Sequence, residues 1–91
     1  MKLLICGVPP NKIAGVSGQF PTADVRCIGA KESTRIWQQR VRPADACIVL
    51  THLTSHKNME IVRNVFGRGI ISSNNLNQAL ATAQDLVRMA S

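Results

Sequence analysis

The sequence predicts a three-layer α/β domain built on a four-stranded parallel sheet. Three observations carry that prediction. Two apolar runs, Leu3 to Val8 and Ala46 to Leu50, show no alternation, the mark of strands buried on both faces. The strands are separated by segments with a helical pattern or helix-start chemistry. Strand and helix alternate four times with no linker, repeat or low-complexity segment between them. Such alternation places helices on the faces of parallel strands. Residues 1–91 therefore read as a single domain.

The first run stops at Pro9 and Pro10, which cannot continue a strand ladder. Asn11 is placed to cap a helix over residues 11–20, weakened by Gly15 and Gly18 and ended by Pro21. Val25 to Gly29 forms a second strand, and Arg26 within it marks a sheet edge with one face in water. Ser33 or Thr34 starts a helix reaching Val41, and Pro43 closes that segment. The third strand, Ala46 to Leu50, shares the centre of the sheet with the first. From Ser55 onward, Met59, Val62, Val65 and Phe66 share a helical face, and Gly67 stands where a C-terminal cap belongs. Residues 69–72 form a short fourth strand. Asn75 caps the last helix, whose stripe is Leu76, Leu80, Ala83 and Val87.

Right-handed crossovers around two central strands give the order 2-1-3-4. The topological switch point then lies between the C-terminal ends of strands one and three, where open α/β sheets place ligands. It brings residues 7–11 beside a polar corner of Thr51, His52, Thr54, Ser55 and His56. The loop over residues 30–33 flanks both.

Composition narrows the classes of function. No segment is long enough to span a membrane, and the apolar start is too short for a signal peptide, so the expected compartment is the cytoplasm. Cys6, Cys27 and Cys47 are odd in number and sit in apolar runs, which predicts buried thiols rather than a disulfide framework. The net charge is +6, with Lys2, Lys12, Arg26, Lys31, Arg35, Arg40 and Arg42 all in the first half. An anionic ligand, an acidic protein or a nucleic acid fits that balance. Phe20, Trp37 and Phe66 are the only aromatics, too few to stack single-stranded bases, and Trp37 is expected to pack on the sheet.

The segment A-D-A-C-I-V-L-T-H-L-T-S-H, followed by a helix and then S-S-N-N-L-N-Q-A-L, resembles the bacterial domain of unknown function 2325 family. The G-x-x-E-S of that family is similar to Gly29, Glu32 and Ser33 here. The resemblance covers residues 25–83 and is strongest over 44–56. It implies a small Rossmann-like domain, akin to flavodoxin-like folds, with a site at Ser55 and His56. The first loop departs from the family, since Pro9 and Pro10 stand where a glycine-rich start belongs.

The candidate ligand-binding residues are accordingly Thr51, His52, Ser55 and His56 at the corner, with Gly29, Lys31, Glu32 and Ser33 beside them. A phosphate cradle in the first loop is disfavoured, because the two prolines remove backbone donors. Cys6 and Lys12 have a phosphatase-like spacing but lack the arginine that grips phosphate bidentately. A phospho-receiver needs an aspartate where Thr51 stands. No zinc ligand set surrounds the histidines. His56 sits at the positive end of a helix dipole, which favours neutral imidazole, a form able to ligate haem iron or accept a hydrogen bond. Asn74 and Asn75 read as helix-start residues.

The expected function is a cytoplasmic binding or regulatory module rather than an enzyme, because no loop pairs a nucleophile with a base. One alternative is a haem-binding regulator with His56 as axial ligand. Another is a nucleic-acid- or protein-binding accessory factor using a basic patch of Lys31, Arg35, Arg40 and Arg42. The chain's small size and the short fourth strand at a sheet edge predict a homodimer.

Overall fold

The first apolar run is buried at all six residues in a computed structural model of the chain, which describes residues 2–20 and 24–90. It forms β1, Leu3–Val8, and pairs in parallel with β2, Val25–Gly29, on one side and β3, Ala46–Leu50, on the other. A three-residue β4, Ile71–Ser73, pairs in parallel with β3. The order β2-β1-β3-β4 is the one the alternation predicts. Helices α1, Ile13–Gly18, α2, Thr34–Val41, α3, His56–Phe66, and α4, Leu76–Ala90, complete a three-layer, Rossmann-like α/β fold.

Two cores result, one on each face of the sheet. Leu3, Ile5, Ile48 and Leu50 pack with Val16 of α1 and Ala79 and Ala83 of α4. Leu4, Cys6, Cys47 and Val49 pack on the other face with Trp37 and Val41 of α2 and Val62 of α3. Trp37 is fully buried, as expected. Burying a large apolar side chain contributes about 1.5–3 kcal/mol, so the indole is a principal anchor of the α2 and α3 layer. Its Nε1 nonetheless finds no protein partner.

Local chemistry starts and stops these helices. Ser33 caps α2, its hydroxyl accepting the Ile36 N–H at 3.4 Å. Ser55 caps α3 by accepting the Asn58 N–H at 3.3 Å. Asn75 Oδ1 accepts the Gln78 N–H at 2.8 Å in the same manner. Gly67 ends α3 with φ +57° and ψ −119°, a positive-φ conformation that favours glycine.

The structure differs from the sequence reading in three places. Asn11 does not cap the first helix. Pro10 opens a 3-10 turn over Pro10–Lys12 that absorbs Asn11, and α1 begins only at Ile13 and ends at Gly18. Pro21, read as the helix stop, lies outside the described residues. The fourth strand starts two residues late, at Ile71, because a 3-10 turn occupies Gly67–Gly69. On α3, Val65 is 39% exposed, whereas the polar Asn58 is buried.

Gly7 sets the geometry at the end of β1. Its φ is +86°, and the register with β2 shifts between Cys6 and Val8. The resulting bulge puts Val8 on the same face as Leu3 and Ile5. A Cβ at Gly7 would lie 2.5 Å from Thr54 Oγ1 and 3.1 Å from Leu50 O. Gly7→Ala is therefore expected to cost about 3 kcal/mol in urea denaturation, from backbone strain plus overpacking. Adding Thr54→Ala recovers only the overpacking part, so the two changes are non-additive.

Candidate functional site

The corner begins where β3 ends. Thr51–Leu53 form one 3-10 turn, Thr54 returns to extended backbone, and Ser55 caps α3. The Thr54 hydroxyl donates to Leu50 O at 2.9 Å, closing the turn onto the strand it follows. Thr51, His52, Ser55 and His56 are all exposed. Order β2-β1-β3 places this corner beside the end of β1, at the switch point.

His56 Nε2 lies 3.3 Å from Glu60 Oε1 one helical turn later, with both side chains largely in water. The Ser55 hydroxyl accepts the Asn58 N–H. The hydroxyl and the imidazole thus engage separate partners along α3.

Asn58 is the residue that sequence reasoning missed. It stands in the first turn of α3, only 4% exposed, and its Oδ1 finds no protein partner. Stepping back four residues from Val62 would have placed it on the buried stripe. Its polarity hid it there.

The flanking loop is tied to β1 from the opposite side. Ala30 N donates to Val8 O at 2.9 Å, and Glu32 N to Gly29 O at 3.2 Å. Gly29 is buried, and a Cβ there would approach Ile13 Cδ1 at 3.3 Å. Lys31, Glu32 and Ser33 are exposed. Because β1 lies between β2 and β3, these residues and the 51–56 corner flank its end from two sides.

Lys31, Arg35, Arg40 and Arg42 are all exposed, and Arg40 also donates from Nη1 to Cys27 O at the sheet edge at 3.5 Å. Arg35 and Arg40, five residues apart, stand on different sides of α2. Among the described residues, no three His, Cys, Asp or Glu side chains converge as a metal site. No helix among them is long and apolar enough to cross a membrane.

All three cysteines are free and buried. Cys6 Sγ lies 3.0 Å from Cys47 Sγ across the central strands, close enough for one thiol to donate to the other. That hydrogen bond, then burial, then the neighbouring thiols push the Cys6 thiol well above its ordinary range. This arrangement opposes the nucleophilic thiolate that a phosphatase reading requires. Burial also raises Cys27, partly offset by a hydrogen bond with Ser17.

Comparison with protein-family models, curated proteins and solved structures finds no match for the chain. The resemblance to the domain of unknown function family rests on the residues that carry it.

A thiol held above its unfolded value stabilises the native state below that value and loses this contribution as pH rises. Urea denaturation is expected to show declining stability from about pH 8.5 upward. Cys6→Ala should flatten the decline relative to the unsubstituted protein. An identical pH slope in the variant would refute the assignment.

Proposed function

We propose that this chain is a non-catalytic binding module whose anionic ligand seats at the 51–56 corner. The observation that carries the reading is Asn58, a buried amide in the first turn beneath that exposed polar corner, whose unpartnered Oδ1 is an acceptor open to a hydroxyl of the ligand while the charged oxygens meet the start of the helix. A buried polar group without a partner costs about 1–3 kcal/mol, so stability alone does not account for an asparagine there. Two further features support the reading. The N-terminal turn of α3 leaves the amides of His56 and Lys57 without helical partners and carries the positive end of the helix dipole. The hydroxyls of Thr51 and Ser55 and the imidazoles of His52 and His56 border it with mixed donors and acceptors.

A regulatory role follows from the same features. Ligand at the start of α3 stabilises a helix whose buried stripe joins the core with α2, so occupancy raises the stability of that layer by mass action.

The test is an NMR titration with inorganic phosphate and, separately, with ADP. Amide shifts are expected at residues 55–58, reduced by His56→Ala. Asn58→Leu should stabilise the apo-protein by about 1 kcal/mol while abolishing the shifts. Shifts confined to Lys31, Arg35 and Arg42 would overturn the reading in favour of the basic helix. A Soret band on adding haem, lost in His56→Ala, would replace it with the haem reading.

A further inference from the structure

The two edges of the sheet are unequal. On one side β4 has three residues, too few to template a long partner strand. On the other, β2 runs for five residues and, among the described residues, pairs with β1 alone. The ladder determines which backbone groups of β2 remain free. Leu3 N donates to Asp24 O at 3.0 Å and Ala30 N to Val8 O at 2.9 Å. In a parallel pair, alternate residues direct both their N–H and C=O to the neighbour. Arg26 and Ile28 therefore face β1, and Val25, Cys27 and Gly29 present their backbone groups outward.

Two outward carbonyls already attract donors. Cys27 O accepts from Arg40 Nη1 at 3.5 Å, and Gly29 O accepts from Glu32 N at 3.2 Å. A groove of about 670 Å³ lies along the same edge. Ile13 and Ser17 of α1 wall it on one side, and Gln39 and Arg40 of α2 on the other. Its charge is unbalanced, with Lys2, Arg26 and Arg40 against Asp24. Arg26 and Asp24 are 3.4 Å apart at the surface, which leaves two cations without an acidic counterpart in the lining.

We infer that the β2 edge and its groove bind an extended acidic peptide segment of a partner protein, which adds to the sheet as a fifth strand. Its backbone carbonyls accept from the outward N–H groups of Val25, Cys27 and Gly29, the general mode of β-augmentation, while Cys27 O and Gly29 O keep Arg40 and Glu32 as donors. Alternate acidic side chains meet Arg26 and Arg40, and apolar side chains between them meet the α1 wall at Ile13. A second copy of this chain is a poorer occupant, because it brings the same excess of arginine to the interface. This surface is distinct from the 51–56 corner.

The test uses the full chain and the synthetic peptide acetyl-Glu-Val-Glu-Val-Glu-Val-amide. Binding is expected to slow hydrogen exchange at the amides of Val25, Cys27 and Gly29. The lysine counterpart of the peptide should bind about tenfold more weakly, and Arg26→Glu with Arg40→Glu should invert the preference. N-methylating the peptide at alternate amides, which leaves the protein untouched, should abolish binding when the methylated set faces β2. Equal affinity for both peptides, indifference to N-methylation, or protection only at residues 51–58 would overturn the proposal. So would sedimentation showing a dimer in which the β2 amides are already protected.

Discussion

The approach of the 51–56 corner to the end of β1 depends on the missing side chain of Gly7. Thr54 Oγ1 and Leu50 O occupy the space that any Cβ at Gly7 would need. The Thr54 hydroxyl also bonds Leu50 O, so one threonine both closes its own turn and fills the vacancy. The positive φ that glycine tolerates produces the bulge that turns Val8 into the α1 and α4 core. Without that bulge the next residue on that face would be Gly7, which has nothing to bury. One residue thus links three levels: a local dihedral, the packing of a central strand, and the position of the candidate site.

Around that point the sheet is dry and the polar chemistry is pushed to its margins. Leu3, Ile5, Ile48 and Leu50 fill one face, and Leu4, Cys6, Cys47 and Val49 fill the other. Small cysteines at the centre of the second face leave room for Trp37 across the strands. The thiols satisfy one another rather than facing hydrocarbon unpaired. Trp37 and Asn58 are the departures, each with one buried polar atom lacking a protein partner. The indole has an evident reason to be there, since its apolar area outweighs one unmade hydrogen bond. The asparagine has no such area to offer, and the two orphans therefore carry different meanings.

Much of this was legible because the controlling interactions are local or periodic. Buried strands announced themselves as unbroken apolar runs, and Ser33, Ser55 and Asn75 act as caps within three residues of themselves. Strand order followed from alternation and crossover handedness. The first helix was misread because Pro10 and Asn11 both carry start signals, and the proline seeded a 3-10 turn that took in the asparagine. Val65 is apolar, but its helical angle sets it outside the inward stripe. Asn58, Met59, Val62 and Phe66 form the inward side of α3, and Val65 lies at its rim. The polar corner was legible because its residues are contiguous. The β2 groove was not, because its walls come from α1 and α2, brought together only by the crossover over the sheet.

That groove gives the uneven charge of the sequence a location. Lys2, Arg26 and Arg40 are far apart along the chain, yet all line one edge of the folded molecule. An exposed five-residue edge strand is a hazard that proteins commonly blunt with charge. Arginines fulfil that role here, since copies of this chain meet like charge when their β2 edges approach. The same arginines do not repel an acidic strand. On the proposed reading, charge at this edge acts as a filter on partners, disfavouring a second copy while leaving the outward N–H groups of Val25, Cys27 and Gly29 to a segment of opposite sign. A fold this small has few places for a partner. The two proposed here lie where the central strands end and where the sheet itself ends.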